Sequence, residues 1–107
     1  MADTGVSAQG SVATGSASTI FTASSSGGTT GTIIGELRFK NGNSSSVVVT
    51  VYRNGTSSSN AMPSFTIPAN GMAAYENERW ALATGETIAA LAASSNVTFF
   101  LSGDQLS

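Results

Sequence analysis

From Thr19 onward the chain is written in short β-rich runs, each stopped by residues that turn the backbone. Residues 32–40 alternate with a period of two, placing Ile33, Leu37 and Phe39 on one face and Ile34, Glu36, Arg38 and Lys40 on the other. Asn41, Gly42 and Asn43 end that run as turn formers. Residues 47–52 form an unbroken β-branched stretch closing on Tyr52, the pattern of a central strand covered on both faces. Asn54-Gly55 and the serines after it read as a loop, and Asn-Gly tolerates positive φ. Residues 64–67 make a short strand closed by Pro68, whose Pro-Ala-Asn-Gly tetrad suits a tight turn. Extended pieces follow at 72–77, 79–82, 87–92 and 97–103, the last with Val97, Phe99 and Leu101 facing one way.

Counting residues 19–23 as the first strand, this spacing predicts an all-β fold: an antiparallel β-sandwich, jelly-roll-like or Ig-like, of about seven to eight short strands. The competing helix over 81–93 is interrupted by Gly85 and by the β-branched pair Thr87-Ile88. One domain fits the length of 107 residues, because only 28 apolar side chains are larger than Ala.

The first 32 residues are different. Twenty-five of them are Ser, Thr, Gly or Ala, and the larger apolar groups are Met1, Val6, Val12, Ile20 and Phe21. Ordering a residue's backbone costs about 1–2 kcal/mol, which so few burials repay poorly. Residues 1–18 are therefore expected to be an extended N-terminal arm, mobile in an isolated monomer, with the sandwich domain at 19–107. Val6, Val12, Ile20 and Phe21 are its candidate anchors, entering pockets on a partner while the arm adds as a strand. On this reading, deleting residues 2–18 would leave the sandwich folded.

Absences exclude much chemistry. Without His, the usual near-neutral base and the commonest transition-metal ligand are missing; without Cys there is no thiol nucleophile, zinc-thiolate site or disulfide. Catalytic residues, cofactors and metal sites are expected to be none. Four basic and six acidic side chains give a net charge of -2, so no nucleic-acid partner is expected. No apolar run approaches a membrane span and no Lys/Arg-led leader opens the chain, so neither a membrane partner nor standard export is expected.

The remaining charged and aromatic residues supply the candidate sites. Glu36, Arg38 and Lys40 share one strand face and, with Arg53 on a neighbouring strand, make a candidate inter-subunit charged patch; a solvated outer face is the plainer reading. Glu76, Glu78 and Glu86 surround Tyr75 and Trp80, which raises sugar binding or glycoside cleavage. A core this small does not easily surround a deep cleft. The glycines at 27, 28, 31 and 35 match no phosphate loop.

The order of these segments resembles a family of small virion proteins of tailed bacteriophages. The resemblance runs through residues 47–52, Ile67-Pro68-Ala69-Asn70-Gly71, residues 72–76, Trp80-Ala81-Leu82, Gly85-Glu86-Thr87-Ile88, and Asn96-Val97-Thr98 through Ser102-Gly103. It implies a β-sandwich structural protein without catalytic residues. The expected role is a capsid decoration or cement protein that forms a trimer or dimer and binds the major capsid protein lattice through the arm. Its expected location is the virion, after synthesis in the host cytoplasm. The alternatives are a tail- or fibre-associated protein and, further off, a carbohydrate-binding module.

Overall fold

β3 shows how this sequence becomes a sheet and where simple alternation fails. In a computed structural model that describes residues 4–23, 31–74, 80–83 and 85–106, β3 spans Gly31–Asn41. Its register against the last strand shifts between Ile34 and Glu36, so Gly35 is bulged out. The bulge reverses the phase. Thr32 and Ile34 point into the core before it, and Leu37, Phe39 and Asn41 do so after it. Ile33 therefore does not share a face with Leu37 and Phe39, and Ile34 lies inside rather than beside Glu36 and Arg38. An extra residue in a period-two pattern exchanges the faces of everything beyond it.

The described residues form nine strands in chain order: β1 (Thr4–Ser11), β2 (Ser18–Thr22), β3, β4 (Val47–Arg53), β5 (Phe65–Ile67), β6 (Met72–Ala74), β7 (Trp80–Leu82), β8 (Thr87–Ala92) and β9 (Val97–Leu106). A single 3₁₀ turn, Ser58–Asn60, follows β4, and no α-helix occurs among the described residues. One sheet runs β1-β9-β3-β6, with β7 also on β3; the other runs β2-β8-β4-β5, and all named pairings are antiparallel. This interleaving is the double Greek key of a jelly roll, which decides between the two sandwich types left open by the sequence.

The structure makes no separate arm of residues 4–18. Thr4–Ser11 pairs with β9 from Thr4↔Gln105 to Ser11↔Thr98, Val12 continues the ladder by donating to the Val97 carbonyl at 2.8 Å, and the Val12 side chain is buried. The expected boundary after residue 18 thus falls inside the sandwich, at the start of its second strand. The physical reason is that the backbone ladder and the long-range partner β9 hold this segment, and neither depends on large side chains. Met1, Ala2 and Asp3 lie outside the described residues.

Core side chains come from both sheets: Ile34, Leu37, Phe39, Leu82, Val97 and Leu101 from one, Val49, Val51, Ile67 and Ile88 from the other. Phe39 and Phe65 meet across the layers with ring centroids 5.7 Å apart. β4 is interior to its sheet but covered on one face only. Val47, Val49 and Val51 are buried whereas Val48 is 44% exposed, because among the described residues no third layer lies over that side.

Asn41 is the polar knot of the core. Its Nδ2 donates to the carbonyls of Ser45 (2.8 Å), Ile67 (3.1 Å) and Pro68 (3.1 Å). Its Oδ1 accepts from the Asn43 backbone N–H and from Asn43 Nδ2. Its place before Gly42 predicts a turn former. It is instead the fully buried last residue of β3, fastening two loops to it. Asn54 (φ 61°) and Asn70 (φ 56°) do take the left-handed conformation expected before glycine.

Candidate functional site

Strand edges and outer faces are where this molecule can do something, because backbone donors and acceptors there are unsatisfied unless blunted or paired. Most edges are blunted. β5, β6 and β7 have three residues each, β5 lies between Pro63 and Pro68, and β2 has a register shift between Thr19 and Phe21. β1 is the exception among the described edges. It runs eight residues with no Pro, no charged side chain and no register shift. Since Val12 donates to Val97, the even-numbered residues of β1 turn their backbone groups toward β9. Gly5, Ser7, Gln9 and Ser11 therefore turn theirs outward, where no strand lies among the described residues.

The outer face of the same sheet carries the charged residues singled out from the sequence. Glu36 and Arg38 form an ion pair at 2.9 Å. Arg38 lies opposite Phe100 of β9 on one side and Ala74 of β6 on the other, and Lys40 lies between Thr98 and Met72 in the same way. Phe100 is 40% and Met72 56% exposed, so two large apolar side chains sit among two cations along a shallow groove of about 590 Å³ that reaches Gln9 and Ser11.

Arg53 does not join this patch. It ends β4 in the other sheet, where its guanidinium donates to the Ala81 carbonyl at 2.8 Å. It belongs to a rim cluster with Glu86. The Ala83 N–H donates to Glu86 Oε1 and Asn54 Nδ2 to Glu86 Oε2, each at 2.7 Å. These two bonds, the backbone one foremost, lower the pKa of Glu86 from its ordinary 4.5, and nearby Arg53 acts in the same direction. Glu76, Glu78 and Tyr75, and the side chain of Trp80, lie outside the described residues. Among the described residues no group of three or more His, Cys, Asp or Glu is placed to hold a metal ion.

Three of the four predicted anchors are turned into this chain's own sandwich. Val12 is buried, and Ile20 and Phe21 pack partly buried against the sandwich's own core. Val6, opposite Gly103, is half-buried. What sequence reasoning missed is the edge itself and the pair Phe100 and Met72. The signal for β1 was present as the alternation of Val6, Ala8, Gly10 and Val12, but in side chains too small to stand out.

No protein-family description matches the sequence, and no curated protein does. Among solved structures, the fold is similar to a chain reported under the words "Bacillus endospore appendages form a novel family of disulfide-linked pili". That chain is 13% identical, with a TM-score of 0.51 over 99% of this chain and 88% of its own length; at this identity the likeness concerns the fold alone.

Proposed function

We propose that this chain is a non-catalytic structural subunit of an assembly built from many copies. The observation that carries the proposal is the open edge of β1, eight residues long and unblunted while the other described edges are short, proline-flanked or bulged. Such an edge is a liability for a solitary protein and a docking strip for a subunit. A non-catalytic role is supported by the lack of His and Cys, and by Glu36 and Glu86 being engaged in an ion pair and a hydrogen-bonded latch.

The particular assembly proposed is a tailed-phage head, with the protein as a decoration or cement protein on the major capsid protein lattice. This rests on the segment resemblance, and jelly rolls serve widely as virion building blocks. The test is to incubate purified protein with undecorated heads and count bound copies by electron microscopy. Copies in the hundreds per head support the reading, and no binding overturns it.

The likeness to a pilus subunit favours a second reading, a fibre-forming subunit. That pilus is described as disulfide-linked, whereas this sequence contains no Cys, so contacts between copies here would be non-covalent. Filaments formed by the purified protein alone would select this reading over the first.

A further inference from the structure

The geometry points to a specific partner for the open edge: β1 of a second copy, running antiparallel about a two-fold axis through Ala8. This deepens the multi-copy reading and rests on it. The outward-facing residues Gly5, Ser7, Gln9 and Ser11 are symmetric about position 8. Antiparallel self-pairing in that register sets Gly5 against Ser11 and Ser7 against Gln9, which satisfies every outward N–H and C=O of β1 on both copies. A register displaced by one pair in either direction leaves Gly5 or Ser11 unmatched.

The side chains permit this register. No charge opposes a like charge, because Thr4–Ser11 has none. On the inner side Ala8 meets Ala8, and Val6 of one copy lies against Gly10 of the other. A Cβ on Gly10 would already stand 3.4 Å from the Phe99 ring, so the bare glycine leaves a notch beside that ring. The half-buried Val6 of the second copy fills it. The product is one continuous sheet of order β6-β3-β9-β1-β1-β9-β3-β6, closed and isologous, so β1 no longer presents an edge.

The lack of native Cys makes the register readable by cross-linking. Ala8→Cys places two thiols at a non-hydrogen-bonded pair, where Cα atoms are about 4.5 Å apart and a disulfide can close. The full chain carrying Ala8→Cys, mildly oxidised, is expected to run as a covalent dimer, whereas Thr66→Cys on the exposed side of β5 is expected to stay monomeric on the same gel. Ser7→Pro removes an N–H used only between copies. It should raise the dimer dissociation constant by about tenfold to hundredfold and leave the melting temperature unchanged at dilutions where both proteins are monomeric. A wild-type oligomer that Ser7→Pro does not weaken and Ala8→Cys does not cross-link overturns this pairing and leaves the multi-copy reading standing. A wild-type monomer at millimolar concentration, with no cross-link, overturns the pairing; the multi-copy reading falls with it only when the same protein also neither binds undecorated heads nor forms filaments.

Discussion

Asn54 and Glu86, 32 residues apart, are joined amide to carboxylate at 2.7 Å, and this bond ties the loop after β4 to the turn before β8. Asn54 Oδ1 accepts from the Thr87 N–H in return, at 3.3 Å, so the latch is reciprocal. Its carboxylate end sets a pH dependence. Because the folded state holds the Glu86 pKa below 4.5, the latch contributes fully above that value and is lost as pH falls through the lower, folded value. Thermal melts between pH 7 and pH 3 should show a loss of stability at the acid end that is smaller in Glu86→Gln, which does not ionise. Equal slopes for both proteins would show that the latch is not the acid-sensitive element.

Asn41→Ala should destabilise the protein by about 3 kcal/mol. Removing one buried amide takes a donor from the carbonyls of Ser45, Ile67 and Pro68 and an acceptor from the Asn43 N–H, and a buried polar group left under-satisfied costs about 1–3 kcal/mol. Urea unfolding measures it. Asn41→Asp should be similarly damaging, because a carboxylate cannot donate to three carbonyls.

Gly103 and Gly35 should respond oppositely to the same methyl group. A Cβ on Gly103 would overlap the Ile33 carbonyl and come within 3.0 Å of Ile34 Cα, whereas a Cβ on Gly35 meets nothing within 4 Å. Gly103→Ala is expected to cost about 1–3 kcal/mol by forcing β9 away from β3. Gly35→Ala should be neutral or stabilise by up to about 1 kcal/mol through the unfolded chain. Paired urea titrations compare them.

Thr32→Val should stabilise the protein. The Thr32 side chain is buried and its hydroxyl has no hydrogen-bond partner, so replacing it with a methyl of similar shape removes a desolvation cost of about 1 kcal/mol or more. A fall in the urea midpoint would show that the hydroxyl is satisfied in solution.

Deleting residues 1–12 should unfold or aggregate the chain rather than release an intact sandwich. Loss of β1 removes the buried Val12 and bares the β9 backbone opposite Ala8 and Gly10, together with the flanks of Leu101 and Phe99. Circular dichroism and dye binding to exposed apolar surface would report the change. A truncated protein that melts like the full chain would restore the idea of a dispensable arm.

By itself the sequence determined the class of fold and most of its strands. Strand alternation and Asn-Gly or Pro punctuation are local properties, set by Cβ geometry and φ preferences, so β2 to β9 and the left-handed Asn54 and Asn70 could be read from neighbours alone. Tertiary structure decided what depends on distant partners. It brought Thr4–Ser11 into register with β9 through backbone bonds that the small alternating side chains of Val6, Ala8, Gly10 and Val12 mark only faintly, and it bulged Gly35 so that Ile34 rather than Ile33 faces the core. It also set Arg53 in a different sheet from Glu36, Arg38 and Lys40, since which strands become neighbours is fixed by the double Greek key rather than by order along the chain.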